Sequence, residues 1–374
     1  ELMDACKSFE AYFVQKIIEQ AKSSIAGEEE EQGEYMQYFG DMLNEQYPVF
    51  DEVLTLGQEE GRLWERRNID EDFLVLRLGT GDIPLRATLD YPEKRFQMDE
   101  DELEENMYNL VERPYTVENT AIRTSLVEYF ISGVTGEHSA VIELGKILMM
   151  QIALLHSYDE VKMVFLINKD DMEKLEFIRF LPHAWDNQKS IRFIASEQNE
   201  VYRLGRELKK EIEEDLTKEK NLDEILKRRP YYVIFAFDKK LFDSMELLKD
   251  ILQKEKNVGV SVLAFFPKLP KECTKIYSVK KNGRGKVFYL RETDKDSEYF
   301  QIETYNEKKA DRIMNKISNV NLMTISQEFT LPKMVTFLEM FGAGKIEHLN
   351  IQRRWKESDP VHSLAAPIGV ETDG

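Results

Sequence analysis

Residues 126–167, LVEYFISGVTGEHSAVIELGKILMMQIALLHSYDEVKMVFLI, decide the fold. The apolar run at 129–132 predicts a strand, the glycines within 133–136 predict a turn, and the long apolar run at 137–156 predicts a helix. Residues 162–167 are nearly all apolar, which is typical of a strand buried on both faces of a parallel sheet. This order of strand, turn, helix and strand predicts a βαβ unit.

The same alternation continues toward the C-terminus. Three more strands are predicted at residues 190–194, 231–237 and 258–266, a late edge strand at 286–290, and helices at 172–181, 197–228 and 243–255. Strands that alternate with helices build a mainly parallel sheet that is covered on both faces. The predicted fold class is therefore α/β, a three-layer, mainly parallel sheet with helices on both faces, of a degenerate P-loop or Rossmann-like kind.

The N-terminal third shows a different pattern of predicted elements. Residues 1–65 are predicted to form an α-helical segment, with helices at 2–25, 36–47 and 48–64 and a charged Gly-Glu break at 27–33. Residues 66–125 are predicted to form a small β-rich subdomain. Its predicted elements are strands at 73–78, 85–89 and 95–98, a turn at Gly79-Thr-Gly81, an acidic helix at 99–111 and a loop at 114–121. The α/β domain then occupies residues 126–325.

Composition narrows the classes of function. The 374 residues carry a formal charge of −19, which argues against a broad nucleic-acid interface, because such interfaces need clustered cations. Residues 1–60 hold fifteen Asp or Glu and three Lys, so the acid is concentrated there. Two cysteines, Cys6 and Cys273, predict neither a disulfide framework nor a metal site and favour a reducing cytosol. No signal peptide is predicted, and the apolar run at 147–155 is too short to span a bilayer. We expect the chain to be a fragment of a longer protein.

The candidate site lies at the predicted strand–helix junction. Gly133-Val-Thr-Gly136-Glu-His-Ser139 stands where a P-loop protein places G-x-x-x-x-G-K-[ST], whose backbone N–H groups and Lys hold phosphates. Here the glycines are three residues apart, His138 and Ser139 stand near the usual Lys and Thr, and no Lys follows. Asp238 ends an apolar strand, as in a Walker B motif, but Lys239 follows it. The candidate nucleotide site is thus Gly133, Gly136, His138, Ser139 and Asp238, and an ordinary strand–turn–helix is the alternative. No catalytic residue and no metal site is predicted, and ATP with Mg²⁺ is the ligand that a retained site would bind.

Other candidates are weaker. A serine hydrolase is not indicated, because the nucleophile elbow G-x-S-x-G is missing. Glu137 stands two residues before Ser139, where that motif needs a Gly. His183 is interpreted as a packed loop histidine, and the acids of 99–105 as a solvated first helical turn. The basic residues of 275–286 are interpreted as a protein contact or a hairpin surface.

Several phrases of residues 60–374 resemble the EssC family, the membrane-anchored FtsK/SpoIIIE-type ATPases of type VII secretion. They are Leu63-Trp-Glu-Arg-Arg67, Asp72-Phe-Leu-Val-Leu-Arg-Leu-Gly-Thr-Gly81, Gln151-Ile-Ala-Leu-Leu-His-Ser-Tyr-Asp159, Phe180-Leu-Pro-His-Ala-Trp185, Leu269-Pro-Lys-Glu-Cys273, Phe337-Leu-Glu-Met-Phe-Gly342 and Leu364-Ala-Ala-Pro-Ile-Gly369. The resemblance implies the linking domain that precedes the first ATPase module, with residues 326–374 as the truncated lead-in to that module. It also implies that this fragment is not an enzyme, whereas the parent protein is an ATPase.

The resemblance further implies partners and a location. The partners would be other EssC protomers in a homo-oligomer, membrane subunits of the secretion machine and the downstream ATPase modules, with no nucleic acid. The fragment would lie on the cytoplasmic side of the cell membrane and contact the membrane only through transmembrane helices of the parent.

The first 47 residues resemble a different family. Leu2-Met-Asp-Ala-Cys-Lys-Ser-Phe-Glu-Ala-Tyr-Phe13 and Tyr38-Phe-Gly-Asp-Met-Leu43 are similar to the rod-binding module of flagellar FlgJ-type proteins. Three functions therefore stay open. The first is a non-catalytic linking domain of a type VII secretion motor, the second a switch that binds ATP without hydrolysis, and the third a flagellar rod or cell-wall adaptor.

Overall fold

One mixed sheet lies in the first of two units, residues 1–319. The computed structural model describes residues 29–57, 62–84, 116–187, 189–218, 220–290, 297–320, 338, 345–349 and 351–357. The strands of these residues are β1 (Val75–Pro84), β2 (Thr116–Ser125), β3 (Ile131–Gly136), β4 (Val161–Leu166), β5 (Ile194–Ala195), β6 (Tyr231–Ala236), β7 (Val260–Ala264), β8 (Lys275–Val279), β9 (Arg284–Tyr289) and β10 (Tyr299–Gln301). They form a ten-stranded sheet in the order β2-β1-β10-β9-β8-β3-β7-β6-β4-β5.

The sheet has a parallel and an antiparallel half. Strands β8, β3, β7, β6, β4 and β5 pair in parallel, whereas β2, β1, β10, β9 and β8 pair antiparallel. The predicted β-rich region and the predicted α/β domain thus contribute strands to the same sheet. The domain boundaries along the chain stay a prediction.

Helices cover both faces of the parallel half. The described α-helices are α1 (Glu29–Gln46), α2 (Phe50–Leu56), α3 (His138–Leu155), α4 (Lys169–Met172), α5 (Gln198–Thr217), α6 (Leu222–Leu226), α7 (Lys239–Ser244), α8 (Glu246–Leu252), α9 (Glu307–Ile317) and α10 (Ile351–Glu357). One apolar core holds α2, α3 and α9 against the sheet, and a second core holds α5, α7 and α8 against the other face. The predicted three-layer α/β class is confirmed.

Residues 320–374 form a separate compact unit. Within its described part, a 3₁₀ turn spans Ile346–Leu349 and helix α10 follows it. The side chains of Ile346 and Trp355 are exposed there, whereas Leu349 is buried.

Several predicted boundaries are wrong. Gly133–Gly136 was predicted as a turn but forms the last four residues of β3, and β1 runs through the predicted turn at Gly79-Thr-Gly81. A Cβ at Gly79 or Gly81 would lie 2.1 Å from a backbone oxygen of β10, so these glycines serve a close approach of strands. Residues 116–121 of the predicted loop at 114–121 belong to β2, and α1 begins inside the predicted break at 27–33. The predicted elements at 2–25, 85–89, 95–98 and 99–111 lie outside the described residues.

Helix α3 is the apolar centre of the fold. By length and composition alone it could cross a membrane, and it is the one such helix among the described residues. However, 78% of it is buried inside the protein, where it packs as a core helix. The apolarity of α3 is therefore explained by the core that it fills.

Two histidines are buried where α3 ends. His156 donates from Nδ1 to the carbonyl of Arg66 (3.1 Å), and His183 donates from Nε2 to the carbonyl of His156 (2.8 Å). Both rings are fully buried, and burial lowers the pKa of each to about 3. The interpretation of His183 as a packed histidine agrees with this burial.

These histidines predict a loss of stability in mild acid. An unfolded histidine binds a proton near pH 6.5 and a buried one does not, so the unfolded state gains protons as the pH falls below 6.5. Between pH 7 and pH 5 each histidine should lower the free energy of unfolding by about 2 kcal/mol. Urea unfolding at both pH values measures this loss. A His183→Gln variant should show a loss that is smaller by about one histidine's share. Equal losses in the variant and the native chain would contradict the assignment.

Candidate functional site

The junction of β3 and α3 leaves little room for a phosphate loop. Gly133–Gly136 pair in register with residues 276–279 of β8, and the N–H of Glu137 donates to the carbonyl of Val279 (3.0 Å). Helix α3 begins at His138, so Glu137 alone connects strand and helix. The glycine pair therefore lies in a strand of the sheet, whereas a phosphate loop cradles its anion with backbone N–H groups that project from a turn.

Packing against neighbouring elements accounts for both glycines. A Cβ at Gly133 would lie 2.5 Å from Cδ1 of Leu269. Gly136 has a φ of +134°, and a Cβ there would lie 1.9 Å from the backbone oxygen of Val279. Gly136 thus has a structural need for glycine, whereas the close neighbour of Gly133 is a side chain.

A carboxylate lies at the start of α3. The hydroxyl of Ser139 donates to the side chain of Glu137, and this hydrogen bond lowers the pKa of Glu137, with Lys281 contributing. The N-terminal end of a helix attracts negative charge, and here the protein supplies that charge itself. Glu137 therefore opposes a phosphate at the position where a P-loop would place one.

His138 faces helix α4. Its Nε2 lies 2.8 Å from Oδ1 of Asp171, and Nζ of Lys174 lies 3.2 Å from the same oxygen. Burial raises the pKa of Asp171, but the hydrogen bonds from His138 and Lys174 outweigh burial and lower it overall. The arrangement is a small surface network that joins α3 to α4.

Asp238 caps helix α7. Its carboxylate accepts from the N–H of Leu241 (2.9 Å), which is the ordinary role of an N-cap. Strand β7 lies between β3 and β6, so the ends of those two strands are about 10 Å apart. Asp238 lines a cleft of 410 Å³ together with Asn168 and Glu197.

Ser139 lines a different cleft. This cleft of 530 Å³ is also lined by Lys146, Tyr305 and Lys308. Lys146 contacts Glu307 (3.2 Å) and lies over the ring of Tyr305 (5.1 Å from its centroid). The structure therefore brings Gly136, His138 and Ser139 together, but it leaves Asp238 in a separate cleft. Nucleotide binding at these residues stays a prediction.

Sequence reasoning missed the role of Glu137. The sequence contained a signal for this role, because Glu137 directly follows the second glycine and would lie against a bound phosphate. Among the described residues, no group of three or more His, Cys, Asp or Glu is placed to hold a metal ion. Cys273 is buried, and burial raises the pKa of its thiol to about 12.

The fold defines a three-layer α/β domain, and the sequence relatives are components of type VII secretion systems. The chain is 24% identical over 339 residues to the type VII secretion system protein EssC of Staphylococcus aureus strain MSSA476. It is 26% identical over 339 residues to the ESX secretion system protein EccC of Geobacillus thermodenitrificans strain NG80-2. These matches cover 88% and 87% of this chain and 22% of each relative. The resemblance to EssC-type proteins is confirmed.

The chain spans about a fifth of the length of these curated relatives. Among solved structures, EssC (ATPases 2 and 3) from Geobacillus thermodenitrificans matches with a TM-score of 0.43 and 12% identity over 68% of this chain and 51% of that one. The cytoplasmic domain of the Thermomonospora curvata type VII secretion ATPase EccC matches with a TM-score of 0.39 and 10% identity over 50% of this chain and 25% of that one. No family model matches the chain.

Proposed function

We propose that this chain is a non-catalytic linking domain of a type VII secretion motor. The observation that carries the proposal is the junction of β3 and α3, where the glycine pair lies in the sheet and Glu137 lies at the helix start. A domain built in this way retains the frame of a nucleotide-binding fold without its anion cradle. It would act through packing surfaces, while the ATPase activity resides elsewhere in the parent protein.

The proposal includes a location and partners. The domain would lie on the cytoplasmic side of the membrane and couple the membrane part of the parent to downstream ATPase modules. Other protomers of the parent and membrane subunits of the secretion machine would contact it. Residues 326–374 would lead into the first module, and residues 126–325 would form the body of the linking domain.

The rival proposal is a switch that binds ATP without hydrolysis. The cleft beside Ser139 supports it, because the cations Lys146 and Lys308 line that cleft. Two carboxylates oppose ATP binding there. Glu137 accepts a hydrogen bond from Ser139, and Glu143 lines the same cleft as Ser139. The two proposals therefore differ in one measurable property, the affinity for ATP.

Calorimetric titration of the chain with ATP and Mg²⁺ separates the two proposals. If the chain is a linking domain, the titration should show no saturable heat of binding at millimolar nucleotide, and the chain should not hydrolyse ATP. In the full-length parent, a Ser139→Asp variant should then hydrolyse ATP and export substrate at the native rates, because the junction has no catalytic part.

A matched pair of variants controls this experiment. Ser139→Asp adds a negative charge beside the β3–α3 junction, whereas Ser244→Asp adds the same charge at the end of α7. Micromolar ATP binding that Ser139→Asp abolishes and Ser244→Asp retains would overturn the linking proposal in favour of the switch.

A further inference from the structure

A large cleft lies at the amino ends of the parallel strands, on the edge of the sheet away from the β3–α3 junction. It has a volume of 780 Å³ and is bounded by residues 67–71, Phe73, the turn after β2, Glu160 before β4, and helix α6. Pockets that bind small molecules and cofactors in proteins have volumes of about 300–1,000 Å³. The cleft is therefore large enough to hold a short stretch of another chain.

The floor of this cleft is apolar. Phe73 is buried there, and Val127, Leu222 and Leu226 are partly buried around it. At the rim, Ile69 leaves 78% of its surface exposed to water. Ile69 therefore extends the apolar surface of the cleft to its rim.

Carboxylates surround the apolar floor. Asp70, Glu71, Glu128, Glu160 and Asp223 line the cleft against two cations, Arg67 and Lys227. We call this feature the acidic cleft. Its local charge of −3 is strongly negative for one surface feature, and a cationic ligand would complement it.

Two of the carboxylates are held within the protein. Glu160 accepts from the N–H of Asn68 (3.1 Å) and lies 3.7 Å from Nε of Arg67, while Asp70 accepts from the N–H of Arg67 (2.7 Å). Burial raises the pKa of Glu160, and the attraction of an added cation would offset part of that cost. Glu71, Glu128 and Asp223 are exposed and form no ion pair within the part of the chain that the structure describes.

The arrangement favours an extended cation over a single ion. The carboxylates do not converge, since no group of three among the described residues is placed to hold a metal ion. They lie instead around an apolar floor, which complements a ligand that has both apolar and cationic side chains. We propose that the acidic cleft docks a protein segment that carries both apolar side chains and lysine or arginine. The proposal does not depend on the linking role, because it concerns the opposite edge of the sheet.

Fluorescence anisotropy with a labelled peptide of alternating leucine and lysine tests this proposal. The peptide should bind the native chain saturably, and its affinity should fall as salt rises, because exposed charges are screened. A peptide with serine in place of leucine should bind about tenfold more weakly, since it cannot use the apolar floor.

Paired charge reversals locate the binding site. The double variant Glu128→Lys/Asp223→Lys should weaken binding of the leucine–lysine peptide by about tenfold or more. The control Glu213→Lys/Glu255→Lys makes the same charge change on exposed residues outside the cleft and should weaken binding by less than about twofold. Ile69→Asn should weaken binding without changing the unfolding temperature. Equal losses in both double variants, or equal binding of the serine–lysine peptide, would overturn the proposal.

Discussion

Replacing Gly136 by alanine should strongly destabilise the chain. The new Cβ would lie 1.9 Å from the backbone oxygen of Val279, and both atoms belong to paired strands of the sheet. Alanine would also have to adopt a φ of +134°, which costs a residue with a Cβ about 1–3 kcal/mol before any clash is counted. Because relief of the clash requires β3 and β8 to separate, we expect a total loss of more than about 4 kcal/mol.

Circular dichroism during heating and during urea titration measures this loss. The matched control is Gly205→Ala in helix α5, where the nearest heavy atom to the new Cβ is Cγ of Met245 at 3.2 Å. A methionine side chain can shift, and alanine favours a helix, so this variant should stay within about 1 kcal/mol of the native chain. A Gly136→Ala chain as stable as the Gly205→Ala chain would contradict the close approach of β3 and β8.

The expected loss of stability makes Gly136 unsuitable for a test of nucleotide binding. A Gly136 variant that lost ATP binding would report unfolding and not a role in ligand recognition. Ser139 offers a cleaner position, because its side chain is exposed at the helix start. The junction must therefore be tested by charge at Ser139, with folding measured in the same samples.

The sequence predicted the parallel half of the sheet well, for a physical reason. Strands β4 and β6 are buried along their whole length, so nearly every residue in them must be apolar, and α3 fills the core beside them. The turn at 133–136 was wrong because glycine has two uses. It permits unusual backbone angles in turns, but it also lets two strands or a side chain approach closely. Sequence alone does not distinguish these uses.

Strand β2 shows the second limit. Its residues Val-Glu-Asn-Thr are mostly polar, and an edge strand with two register irregularities does not show a regular alternation. The acidic cleft was also beyond the sequence, because its walls come from segments as distant as Asp70, Glu160 and Asp223. The predicted nucleotide site combined the neighbours Gly133–Ser139 with Asp238 from a later strand, and in the fold Ser139 and Asp238 line separate clefts.

A buried arginine ties α1 to the sheet. Arg77 is only 3% exposed, and its Nε lies 2.6 Å from Oε1 of Glu303, beyond β10. Its guanidinium also donates to the side chain of Asn44 (2.9 Å) and to the carbonyl of Tyr47 (2.7 Å), at the end of α1. One side chain thus joins α1, β1 and the segment after β10, and Phe39 and Leu43 of α1 pack beside it on Val117.

Arg77→Met should lower the free energy of unfolding by about 3–5 kcal/mol, because it leaves a mostly buried carboxylate without its ion pair. Urea unfolding should show this loss, and Arg77→Met/Glu303→Leu should recover part of it, since the double variant removes both charges. The control Arg179→Met breaks an exposed pair (3.9 Å to Glu176) and should cost less than about 1 kcal/mol.

Deletion of residues 1–47 should also destabilise the chain, because it removes Asn44 and Tyr47. A deleted chain of native stability would contradict this packing and favour α1 as part of an independent flagellar-type module.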